Sequence, residues 1–296
     1  MTLPIASIPD GTITSARGFS AGGVFAGIKT PGADKLDIGL LVSDQPCTVA
    51  GTFSQNSVIS PTVTLTRQRV GPEKRVRAIV ANSGCANTGV GDQGLIDARD
   101  MTDLAAAKLG VTAEETLVAS TGVIGVEIPM ALMREFIPQI AVSGNGGNEY
   151  ARAILTTDKR TKEIAVSFSV DGVTHTVGGV SKGSGMIHPN MATMLAFTTT
   201  DANVDPAFLQ ETLSAAVRLT FNQIDVDGDQ STNDTVLLLA NGAAGGPEIS
   251  GGDEASEAFA EAVLQVCRHL AIEIARDGEG ATKLIEVTVE GAHSDD

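Results

Sequence analysis

Tryptophan is absent from this chain of 296 residues, tyrosine occurs once, and aromatics together make up 3%. Single-stranded nucleic acid is held by stacking bases on aromatic side chains, so that class of binding finds no platform here. Positive charge is also short: 20 Lys and Arg stand against 36 Asp and Glu, and the formal charge of −16 repels a phosphate backbone. No nucleic-acid partner is expected. The three cysteines, Cys47, Cys85 and Cys267, are odd in number and too far apart for a disulfide framework or a zinc knuckle, which fits a reducing compartment. No run of roughly eighteen apolar residues occurs, and Met1 to Gly18 lacks the basic-then-apolar order of an export signal. A cytoplasmic protein without membrane contact is therefore expected. His175, His188, His269 and His293 fall at no metal-ligand spacing, so no metal is expected either.

What is present is a hydrophobic fraction of 42%, enough for a large core, on a length that by itself suggests two domains. Apolar or alternating runs of strand length lie at Arg77–Ala81, Leu117–Ala119, Ile164–Val170, Met194–Thr199, Val236–Ala240 and Leu284–Val289. Asp205-Pro206 starts a helix with Leu209, Leu213, Ala216, Val217 and Phe221 on one face, and Ala255–Ala275 forms a second, closed by Arg276, Asp277 and Gly278. Strands and helices mix without a strict β-α-β rhythm. That order predicts an α/β fold in which sheets pack on each other and helices lie outside.

Glycine-rich loops invite a nucleotide reading that their spacing refuses. Gly144-Asn145-Gly146-Gly147 and Gly183-Ser184-Gly185 lack the third glycine of a dinucleotide fingerprint, and neither ends in Gly-Lys-Ser/Thr. The run Asp225–Asp229 begins like a calcium loop, but Gln230 stands where glycine is needed and Val236 where the closing glutamate belongs. It reads as a turn near a cleft.

The segment Ser181–Phe197 carries the most chemistry. A glycine-rich loop runs into an apolar strand that opens with a hydroxyl residue, Thr193. Thr193 reads as an ordinary strand threonine on propensity alone. It also reads as a latent nucleophile: its hydroxyl can attack the Ala192 carbonyl, form an ester, and let water split the chain. A threonine that then heads a chain carries its own general base, the α-amine, which titrates near pH 8. Gly183, Ser184, Gly185 and Ala192 are small, and Pro189 fixes one backbone angle, which permits the tight turn such an attack needs.

The run Lys182-Gly183-Ser184-Gly185-Met186-Ile187-His188-Pro189-Asn190-Met191-Ala192-Thr193-Met194-Leu195 resembles the self-cleavage motif of the ornithine acetyltransferase family, bifunctional glutamate N-acetyltransferases of arginine biosynthesis. Gly18–Lys29, Asn82–Asn87, Ser120–Gly125, Val226–Asp234 and Asp277–Lys283 resemble further family blocks in family order, so the likeness covers essentially the whole chain. The resemblance implies a layered sandwich of sheets flanked by helices, related to the self-processing aminopeptidases. It also implies cleavage between Ala192 and Thr193 into pieces 1–192 and 193–296, assembled as an α2β2 heterotetramer. Thr193 would take acetyl from N-acetylornithine and pass it to glutamate, without a cofactor; acetyl-coenzyme A stays open as a second donor.

By the same resemblance Thr121 and Gly122 would form the oxyanion pair, and Lys182, Thr157 and Glu279 would join Thr193 in holding substrate. Read without the family, Ser120-Thr121-Gly122 is a strand-ending turn, Lys182 a surface lysine, and Glu279 a solvated turn residue between glycines. Thr156 competes with Thr157, because Lys159 follows Asp158 where the family often has another threonine. The family continues past Leu284–Val289 into a D-P-N-W-G-R block that this sequence lacks. A shortened β piece is therefore expected, and an aminopeptidase or amidase of the same fold, or an inert fragment, stays open beside the transferase.

Overall fold

The computed structural model describes residues 4–29, 35–189 and 194–291. Among them the strands are β1 (Ala6–Ile8), β2 (Phe19–Val24), β3 (Ile38–Phe53), β4 (Val76–Cys85), β5 (Thr116–Val123), β6 (Lys162–Val170), β7 (Val173–Lys182), β8 (Leu195–Thr200) and β9 (Thr235–Ala240). The α-helices are α1 (Pro61–Gln68), α2 (Gln93–Leu109), α3 (Met130–Phe136), α4 (Gly147–Ala153), α5 (Pro206–Leu219) and α6 (Glu254–Arg276).

One long strand joins two sheets. The register of β3 breaks between Val42 and Cys47; its first half pairs with β2 and β4, and its second half, Thr48 to Phe53, pairs with β9. The first sheet is thus β2-β3-β4-β5 and the second β1-β6-β7-β8-β9-β3. Because β3 belongs to both sheets, the chain does not divide into the two domains that length suggested.

Side-chain alternation then builds the layers, since successive residues of a strand point to opposite faces. Leu237 and Leu239 of β9, with Leu195 and Phe197 of β8, face Ile79 and Leu117 of the other sheet in a core between the sheets. Val236, Leu238 and Ala196 point the other way, onto α5 and α6. Val80 and Val118 likewise leave the central core and meet Met101 and Ala105 of α2 and Met133 of α3. The order is helices, sheet, sheet, helices, as the mixed pattern predicts.

Both helices expected from the sequence form. The Asp205 carboxylate accepts from Ala207 N (2.9 Å) and Phe208 N (3.0 Å), with Pro206 in the first turn. Phe221 lies just past that helix in a short 3-10 turn and is still buried. Asp253 and Ser256 form a capping box on α6, which buries Phe259, Val263, Val266, Leu270 and Ile274 at helical spacing. Each fully buried side chain of this size contributes about 1.5–3 kcal/mol. Asp277, not a left-handed glycine, ends α6, its N–H reaching Glu273 O and Ile274 O at 3.1 Å.

The strand expected at Leu284–Val289 does not form. No strand is found there, and Ile285 is 80% and Val287 79% exposed. Its alternation is that of a strand, but no neighbouring edge among the described residues completes the hydrogen-bond ladder a strand requires.

Candidate active site

Parallel β4 and β5 run side by side with Ser83 opposite Thr121 and Gly84 opposite Gly122, and β7 ends nearby at Lys182. Around these ends opens a cleft of about 580 Å³, lined by Thr121, Gly122, Thr157, Lys182 and Glu279 among others. Five residues singled out from the sequence, drawn from four separate stretches, therefore meet in one place.

Gly122 has φ +133°, and a Cβ there would lie 2.3 Å from the carbonyl carbon of Gly84. Only glycine lets the two backbones approach this closely. Asn233 ties the same strand ends together, donating from Nδ2 to Ala86 O (2.6 Å) and Ser120 O (2.8 Å) while its Oδ1 accepts from Thr88 Oγ1 (2.9 Å). The Thr121 side chain and the Gly122 backbone thus sit on a fixed rim, the kind of setting in which donors can await developing negative charge.

Lys182 is buried and donates from Nζ to Thr121 Oγ1 at 3.3 Å. Burial lowers its pKa, against the opposing pull of Asp158, Asp234 and Glu279. In a protein this acidic, Lys182 places a basic group at the cleft. Thr157 Oγ1 lies 2.7 Å from Ser184 Oγ and donates to the Glu279 carboxylate, while Glu279 N donates to Ser184 O at 2.6 Å. Thr156 also lines the cleft, but its N–H is turned to Asp158 Oδ2 (3.1 Å).

A buried ion triad fixes this wall. Lys162 Nζ lies 2.6 Å from Asp158 Oδ1 and 2.7 Å from Asp277 Oδ2, and Asp158 also accepts from Gly183 N at 2.7 Å. Burial alone would push the Asp158 carboxyl up, yet Lys182 and Lys162 hold it down to about 2. One carboxylate thereby connects the 156–158 turn to the loop that leaves β7.

Ala192 and Thr193 lie outside the described residues. The chain on both sides of that run is firmly held. On one side Asp227 accepts from Met186 N (2.6 Å) and Ile187 N (3.0 Å), with Met186 at φ +59°. On the other, Met194 N donates to Asp234 Oδ1 at 3.0 Å, and Thr235 N donates to Met194 O at 3.1 Å. The Asp225–Asp229 run is the turn beside the cleft that its sequence indicated, with both Asp227 oxygens spent on the loop. His188 Nδ1 lies 3.4 Å from Asp225 Oδ1. Asp234 is itself buried, and burial pushes its carboxyl well above the ordinary range.

Asn233, Asp234 and Lys29 were not singled out from the sequence, although each stands inside a family-like block. Lys29 lines the cleft, with Nζ donating to Leu155 O (2.8 Å), Ser83 Oγ (3.2 Å) and Arg152 O (3.4 Å). The free cysteines Cys85 and Cys267 are core residues, as is Cys47.

Two sheets sandwiched between helices, with a cleft at the strand ends, are the layers of the Ntn-hydrolase fold, the fold class of a structural neighbour of this chain. The L-aminopeptidase D-Ala-esterase/amidase of Ochrobactrum anthropi, described as a variant of that fold, matches 94% of this chain and 89% of its own with a TM-score of 0.53. At 13% identity that likeness concerns the fold alone. The sequence goes further: the chain belongs to the ArgJ family, whose profile matches residues 20–296. The arginine biosynthesis bifunctional protein ArgJ of Dehalococcoides mccartyi is 48% identical over 285 residues, covering 96% of this chain and 70% of that protein. Ornithine acetyltransferase from Mycobacterium tuberculosis, solved in complex with ornithine, is 32% identical with a TM-score of 0.57, over 63% of this chain and 99% of that chain.

Proposed function

We propose that this chain is a self-cleaving acetyltransferase of arginine biosynthesis, which moves acetyl from N-acetylornithine to glutamate through an ester on Thr193. The observation that carries this reading is the meeting of Thr121, Gly122, Thr157, Lys182 and Glu279 in one cleft. The pinned flanks at Ile187 and Met194 support it, since they fix where the intervening residues enter and leave. The likeness to ornithine acetyltransferase solved with ornithine also supports it, since nearly all of that solved chain is matched by 63% of this one.

In this reading cleavage frees the Thr193 α-amine, which takes the Oγ proton as the hydroxyl attacks the acetyl carbonyl. The negative charge that develops on the carbonyl oxygen is met by the Thr121 hydroxyl and the Gly122 N–H; one such donor is worth about 3 kcal/mol of transition-state stabilisation. The ammonium then returns its proton to the departing ornithine nitrogen, leaving acetyl-Thr193. Glutamate's amine attacks that ester and restores the hydroxyl. Glu279 pairs with the side-chain ammonium of ornithine and Lys182 with a carboxylate. No step calls for a cofactor, and acetyl-coenzyme A is an additional candidate donor. Pieces 1–192 and 193–296 stay together through the β7–β8 ladder and assemble as α2β2 in the cytoplasm.

The test has two parts. Purified protein run on a denaturing gel should give two bands, the smaller beginning Thr-Met-Leu-Ala, and Thr193→Ala should stay whole. Acetylornithine and glutamate should then yield acetylglutamate and free ornithine; release of acetate instead would make water the acceptor and the protein an amidase.

A further inference from the structure

The cleft holds more positive charge than one carboxylate requires. Lys29 and Lys182 both line it, and neither has a carboxylate within ion-pair distance among the described residues. Lys29 is held in place from two directions. Asp37 accepts from Ala26 N and Ile28 N, both at 2.7 Å, and fixes the backbone that delivers it. The ammonium itself is seated on Leu155 O, two residues past α4, and on Ser83 Oγ of β4, with a looser third bond of 3.4 Å to Arg152 O. Burial, opposed by Asp37 and reinforced by Lys35, brings its pKa down to about 8, and Lys182 adds to the lowering. A cation in that position, with no carboxylate in direct ion-pair contact among the described residues, gains from an anionic ligand.

Of the carboxylates lining the same cleft, Asp227 is engaged by Met186 and Ile187, and Asp229 is exposed in its turn. Glu279 is left as the anion held at the substrate wall by Thr157. Two ammonium groups match the two carboxylates of an aminodicarboxylic acid, the proposed acceptor, and Glu279 matches the side-chain ammonium of the diamino acid that leaves. The two amino acids of the proposed transfer differ there: ornithine ends in an ammonium and glutamate in a carboxylate. One cleft must release the first and admit the second. A pocket of a single sign would reject one of them, whereas a pocket offering both Glu279 and Lys29 serves each in turn.

Resting on the acetyl-transfer reading, we infer that Lys29 is a specificity residue that binds the side-chain carboxylate of the acceptor, giving up its long bond to Arg152 O for a ligand oxygen. Lys182, tied to Thr121 at the transfer centre, is left for the α-carboxylate common to both substrates.

The two half-reactions can be read separately by isotope exchange: labelled ornithine into acetylornithine, and labelled glutamate into acetylglutamate. Lys29→Met should lower the ratio of glutamate to ornithine exchange roughly ten- to hundredfold, through KM for glutamate, which is the worth of one hydrogen bond to a charged group. Wild type should prefer glutamate to its neutral isostere glutamine as acceptor, and Lys29→Met should lose that preference. Lys29→Gln, which keeps a donor for Leu155 O, should lose it as well, whereas Lys29→Arg should retain part of it. Equal loss of both exchanges in Lys29→Met, or an undiminished preference for glutamate in Lys29→Gln, would overturn the inference. Wild type that catalyses neither exchange would instead sink the acetyl-transfer reading on which it rests.

Discussion

Two short runs rich in apolar and β-branched residues end very differently in this protein. β8, Leu195–Thr200, pairs antiparallel with β7 on one side and parallel with β9 on the other, and all six of its residues are buried. The run Leu284–Val289 has similar β-branched content and a clearer alternation, yet it pairs with nothing among the described residues and leaves Ile285, Val287 and Val289 more than three-quarters exposed. Period two states which faces a strand would have. Whether there is a strand depends on an available edge, and edges come from distant parts of the chain.

The difference can be measured. Phe197→Ala should destabilise the fold by about 3–5 kcal/mol, because Phe197 fills the core between the sheets and packs edge-on against Tyr150. A chemical denaturation midpoint checks this, and a loss below about 1 kcal/mol would erase the contrast with the exposed run. The next effect comes from the ion-locked ends of β6 and β7. Because the Asp158 carboxyl is held below its ordinary value, at about 2, its ionised form stabilises the fold at neutral pH. That contribution, about 2 kcal/mol from a shift of this size, is intact above the ordinary carboxylate range and disappears as pH falls from about 4 through about 2. Asp158→Asn should therefore be clearly less stable than wild type at pH 7, and the gap between their denaturation midpoints should narrow below pH 4. A gap that stays constant with pH would mean the triad acts by packing alone. The smallest effect belongs to the exposed run: Val287→Ser should change stability by less than about 0.5 kcal/mol. A loss comparable with Phe197→Ala would mean that Val287 is covered in solution and would break the comparison.

How far the architecture was legible follows the same line. Five of the six strand runs form because each meets a sheet, and the cap read at Asp205 is a local signal that the chain honours within three residues. That Thr121, Gly122, Thr157, Lys182 and Glu279 share one site was legible only through the family resemblance, because their local patterns read as turns and surface residues. That Thr157, Ser184 and Glu279 touch is a fact of topology, since Glu279 comes from beyond α6 and Ser184 from beyond β7. The triad was not legible at all: Asp277 lies 115 positions from Lys162, and nothing in the local pattern marks either as buried. Lys29 escaped for a related reason, because the groups that seat it are mostly backbone carbonyls, which have no letter in a sequence. Asp227 shows the reverse, a residue whose letters suggested a metal loop while its oxygens are occupied by main-chain N–H groups.

The abutting backbones of Gly84 and Gly122 have one further consequence, for what can change in this protein over time. Any side chain added at 122 would strike the main chain of 84, and one added at 84 would meet Ile28 at 2.8 Å and the backbone of Lys29 at 2.9 Å. Enlarging either position first is therefore harmful, and no later substitution at its partner can undo a collision with the main chain itself. New specificities at this cleft are more readily reached through positions whose side chains can be exchanged singly, such as Lys29, Thr157 and Glu279, than through this pair of glycines.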